Sequence, residues 1–93
     1  MTPNSAAPGS EIWLAGRSVF RELDGALTTC RNELAIMIEN RAFVEADQMR
    51  ARIARINSLQ LGIAQAVLLA RRDMAGARAA IERIREDAAE IGA

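Results

Sequence analysis

The chain has 93 residues, and its 12 basic and 12 acidic side chains give a net charge of zero. A hydrophobic content of 51% excludes a disordered polymer, and the charge balance argues against electrostatic capture of nucleic acid or an anionic membrane surface. His, Lys and Tyr do not occur and Cys30 stands alone, which removes the usual general base, the Schiff-base amine, a zinc cluster and an internal disulfide.

Residues 1–9, MTPNSAAPG, contain both prolines, and neither a basic start nor an apolar stretch follows. They read as a disordered tail rather than a secretory signal. Ser10 follows Pro8-Gly9 and precedes Glu11, which predicts a helix start with an N-cap and acidic charge in the first turn. Trp13, Gly16, Phe20, Leu23, Leu27, Cys30, Leu34 and Met37 then recur at alternating spacings of three and four. That is a heptad stripe on one long helix over 10–39. Leu14, Val19, Ile36 and Ile38 lie off this line and widen its apolar face.

Asn40-Arg41-Ala42 is the first break, although no Gly or Pro enforces it. A second stripe follows over 43–70, through Met49, Ile53, Ile56, Gln60, Ile63, Val67 and Ala70. The second break, Arg71-Arg72-Asp73, has better turn chemistry, because Asp73 can cap the next helix. A third stripe over 74–91 carries Met74, Ala77, Ile81, Ile84, Ala88 and Ile91, with Arg78–Glu82 and Arg83–Asp87 as i,i+4 ion pairs.

Residues 35–53 and 66–84 echo one another at an offset of 31 residues. Helix starts near 10, 41 and 72 give the echo its meaning, since it measures one antiparallel helix and its turn. The expected fold is an all-α, up-down-up bundle forming a single domain over 10–93. Two alternatives share the pattern. The second and third stripes have one phase, which permits a two-helix hairpin, and Asn57-Ser58 could divide 43–70 into a four-helix, tetratricopeptide-like array.

Few residues offer chemistry. Cys30 sits on the apolar stripe and reads as core. Glu82, Glu86, Asp87 and Glu90 form an acidic row that reads as a solvated face. The Arg residues from 50 to 85 lack the interleaved aromatics that single-stranded nucleic acid would stack on. No catalytic residue, cofactor site or metal site is expected, and no apolar run approaches the roughly 20 residues of a membrane span. What remains is apolar surface. Trp13, Phe20, Leu59, Leu61, Leu68 and Leu69 are the expected partner-binding residues, because a bundle this small cannot bury them all against itself.

The segment Leu23-Asp24-Gly25-Ala26-Leu27-Thr28-Thr29-Cys30-Arg31-Asn32-Glu33-Leu34-Ala35 resembles the first helix of the YscE/PscE family, small co-chaperones of type III secretion needle subunits. The likeness extends from Leu23 to about Val67. It implies a helical hairpin that pairs with a tetratricopeptide-like chaperone and helps hold an aggregation-prone secreted subunit. The third helical stretch departs from that family. The rhythm of IENRAFVEADQMRARI, residues 38–53, is similar to flagellar export chaperones of the FliT type. The functional expectation is a non-enzymatic interaction module, a small cytoplasmic chaperone or co-chaperone that shields an apolar helical partner. Its alternatives are a small regulator or inhibitor acting by occlusion, phage-encoded ones included, and a homo-oligomeric structural coiled coil. In each case the partner is protein, in a homo- or hetero-oligomer.

Overall fold

The structure, a computed structural model, describes residues 10–92. The expected N-terminal tail lies outside the described residues. Three helices follow in order, α1 (Ser10–Glu39), α2 (Phe43–Leu69) and α3 (Met74–Gly92). The breaks fall where the sequence places them, and α2 runs unbroken through Asn57-Ser58. The hairpin and four-helix alternatives are thereby set aside.

Each turn has its own cause. At the end of α1 the Ala42 N–H donates to the Met37 carbonyl at 2.8 Å and the Arg41 N–H to the Ile38 carbonyl at 3.1 Å. This pair of bonds is a Schellman motif, which satisfies carbonyls that α1 leaves orphaned. It requires a left-handed residue, and Arg41 takes that conformation at φ 58°. At the second turn the Gly76 N–H donates to Asp73 Oδ1 at 2.9 Å. Asp73 is the cap its position predicted.

Cross-helix contacts fix the topology. A Cβ added at Gly16 on α1 would stand 3.1 Å from Ile63 Cγ2, 3.4 Å from Val67 Cγ2 and 3.6 Å from Ile81 Cδ1. The three helices therefore meet where α1 has no side chain. Gln60 Nε2 donates a long 3.5 Å bond to the Phe20 carbonyl, so α2 runs antiparallel to α1 with residue numbers summing to about 80 at each level. Arg78 pairs with Glu11 at 2.9 Å, which sets α3 parallel to α1.

The core holds Ile12, Val19, Leu23, Leu27 and Cys30 from α1, Met49, Ile56, Ile63 and Ala66 from α2, and Ala77, Ile81, Ile84, Ala88 and Ile91 from α3. The second and third stripes are buried or half-buried along their whole length. The first is corrected near its start. Trp13 and Phe20 are exposed, while Ile12 and Val19 occupy the buried positions beside them. Both lines, 12-16-19-23 and 13-16-20-23, keep helical spacing through Gly16 and Leu23. Ile12 and Val19, one turn to either side of the close approach at Gly16, are almost fully buried. The expected α3 pairs are also revised, because Arg78 reaches Glu11 on α1 and Glu82 pairs with Arg85 at 2.8 Å.

At 19 residues, α3 spans about 28 Å, against about 45 Å for the 30-residue α1. Its end is level with Arg52 and Arg55 of α2, where Arg52 donates to the Ile91 carbonyl and Arg55 approaches Glu90 at 3.8 Å. Beyond that level α1 and α2 continue as a two-helix projection, and the molecule measures 57 × 23 × 19 Å.

Candidate interaction surface

The side of the α1–α2 pair turned away from α3 carries most of the large apolar residues expected to meet a partner. On α1, Trp13 and Phe20 are one heptad apart and remain 49% and 41% exposed. With Gly16, Arg17, Ile63 and Val67 they line an open groove between α1 and α2. The Arg17 guanidinium lies over the Trp13 ring, 5.2 Å from its centroid, a cation–π arrangement that holds both side chains on the groove wall.

On α2 the outward positions Ala54, Asn57, Leu61, Ala64 and Leu68 are all exposed and follow spacings of three, four, three and four. They form a second stripe on a helix whose first stripe is already buried. A helix apolar on two sides is ordinarily covered on two sides. Leu61 and Leu68 are 61% and 66% exposed. Val67, which lines the groove, sits between this outer stripe and the Trp13–Phe20 pair on the helix circumference.

The other two expected residues differ from these four in placement. Leu59 is half-buried and packs against the core. Leu69 is 38% exposed and shares with Leu68, Gln65, Arg71 and Arg72 an open depression at the second turn.

The structure also exposes residues that the partner reading passed over. Ile36, Ile38, Phe43 and Val44 are 45–70% exposed at the tip of the projection. In the sequence Ile36 and Ile38 merely widen the first apolar face. Only the shortness of α3 shows that the third wall stops before reaching them.

Cys30 is buried, and within the acidic row Glu82 and Glu90 face Arg85 and Arg55. No helix of the described residues is long and apolar enough to cross a membrane.

The class defined by this architecture is an all-α antiparallel three-helix bundle with an apolar face left open on its α1–α2 side. Comparison with family models, with curated proteins and with solved structures gives no match to the chain.

Proposed function

We propose that this chain is a non-enzymatic interaction module that works by covering an apolar, helical protein surface with its α1–α2 face. One observation carries the reading. Trp13 and Phe20 on α1 and Leu61 and Leu68 on α2 are all 41–66% exposed, and exposed apolar area of this kind marks docking sites on globular domains. Aromatic anchors beside a groove are what an incoming amphipathic helix fills.

The specific form we favour is a cytoplasmic export chaperone or co-chaperone. Its support is the resemblance of residues 23–35 to the needle co-chaperones, together with a face suited to an amphipathic client. A small regulator that blocks its target by occlusion would use the same face and is the second reading.

Co-expression with a tetratricopeptide-like chaperone and a short helical secreted subunit tests the favoured form. A ternary complex should co-elute, and Trp13→Ala or Leu61→Ser should release this chain while its helical circular dichroism is kept. A complex indifferent to both substitutions would remove the face from the mechanism.

A further inference from the structure

We infer that the turn between α2 and α3 is a convertible hinge, and that two copies of this chain exchange their α3 helices when it straightens. The two turns of the molecule are built differently. The first depends on Arg41, which among the described residues is the one non-glycine residue with positive φ. The second bends without a left-handed residue, and residues 70–75 contain no Gly or Pro.

Its backbone stays close to helical. Ala70 has φ −55° and ψ −25°, and its N–H donates to the Ala66 carbonyl at 3.0 Å. The Arg72 and Asp73 N–H groups both donate to the Leu69 carbonyl, at 2.9 and 2.8 Å, and the Ala77 N–H donates to the Asp73 carbonyl at 3.0 Å. Helical bonding is thus interrupted at the donors of Met74, Ala75 and Gly76. The heptad is not interrupted. From Met49 to Ile91 the inward line steps by four and three residues in strict alternation, and Val67, Ala70, Met74 and Ala77 carry that alternation across the turn. A phase kept through a bend is what one continuous helix requires.

A local contact holds the bend closed. Asp73 Oδ1 accepts from the Gly76 N–H at 2.9 Å, the donor that a continuous helix would direct to the Arg72 carbonyl. This cap needs glycine, because a Cβ added at Gly76 would stand 2.8 Å from Asp73 Cγ.

Straightening takes α3 off α1 and α2, and the apolar side it leaves must be covered again. A second copy does this without losing contacts, since exchanging an identical element restores them between chains. Arg55 faces Glu90 at 3.8 Å, and a Cβ at Gly62 would stand 3.1 Å from Ile84 Cδ1, so facing residue numbers on α2 and α3 sum to about 145. Two continuous helices over 43–92, packed antiparallel about a two-fold axis at the hinge, keep that sum. Each α1 stays on its own α2 and meets α3 of the other copy, with Glu11 beside Arg78 as in the closed chain. The exchanged dimer carries two open α1–α2 faces, one on each half.

Asp73→Ala and Gly76→Ala each remove the cap and favour helix through the turn. Refolded from urea and followed by sedimentation equilibrium, each should raise the dimer association constant more than about tenfold over the wild-type chain, because one dimer releases two caps. Met74→Pro acts in the opposite direction, since proline suits the first position of α3 and breaks a continuous helix. Added to either variant, it should restore the monomer with helical circular dichroism kept. A second readout locates α3. In a Cys30→Ala background, Glu11→Cys and Arg78→Cys bridged by a short bis-maleimide should give covalent dimers on a denaturing gel from the dimer fraction, and single chains from the monomer fraction. Covalent dimers support the exchange. It is overturned if Asp73→Ala and Gly76→Ala both stay monomeric at every concentration, if the bridge in the dimer remains within one chain, or if the dimer survives Met74→Pro.

Discussion

Arg41 sits in the left-handed region at φ 58°, where an L-side chain pays roughly 1–2 kcal/mol. Glycine removes that strain but loses roughly 0.5–1 kcal/mol in backbone entropy. Arg41→Gly should therefore stabilise the protein by up to about 1 kcal/mol, seen as a higher urea midpoint at unchanged slope. A lower midpoint would mean that the arginine side chain contributes more than the turn costs. The same measurement ranks the leucines of α1. Leu23 is 2% exposed, and Leu23→Ala should cost about 3 kcal/mol through the cavity it leaves. Leu34 lies on the same stripe but beyond the end of α3, where it is only half-buried. Leu34→Ala should cost about half as much, measured by the same urea titration. Periodicity identified both leucines as inward-facing and could not rank them, because ranking requires knowing how many helices surround each level. Trp13 and Phe20, expected both on the first stripe and among the partner-binding residues, leave the buried stripe for a related reason. Two adjacent lines of apolar residues satisfy the spacing, and only the tight crossing at Gly16 selects the aliphatic one.

At the scale of elements, α2 explains why the fold was legible while its surface was less so. The buried stripe from Met49 to Ala70 and the capping aspartate before α3 are local signals, readable one helix at a time. The outer line Ala54-Asn57-Leu61-Ala64-Leu68 is equally regular, and the leucines within it were recognised as surplus to the first stripe. Leu59 was grouped with them because it too lies off that line, but the flank it occupies packs inward. Which flank of a helix receives a third neighbour is a tertiary fact. The unequal helix lengths have a dynamic consequence. The projection formed by the end of α1 and the start of α2 packs two helices against each other, and the rest of the molecule packs three. Local opening there exposes less apolar surface and costs less. Amide hydrogen exchange should be faster from Leu34 to Met49 than from Val19 to Leu27 or from Ile56 to Ala66. Uniform protection would show that the projection unfolds only with the whole bundle. Gly25 offers a complementary change, since a Cβ there meets nothing within 4 Å. Gly25→Ala should add about 0.5–1 kcal/mol by helix propensity alone.

For the whole molecule, the deciding comparison is between Phe20 and Leu23, three residues apart on α1. Leu23 faces the three-helix core, whereas Phe20 is 41% exposed on the open groove between α1 and α2. Truncating Leu23 should act on folding. Truncating Phe20 should act mainly on association, because a half-exposed ring contributes little to the isolated bundle. Under a docked helix the same ring is shielded from water by its neighbours, the setting in which aromatic anchors contribute most. Phe20→Ala should thus weaken the complex with a docked protein partner by about 2 kcal/mol or more, read by titration calorimetry, while lowering the stability of the isolated chain by less than about 1 kcal/mol in the urea titration; a complex indifferent to the ring would place it outside the interface.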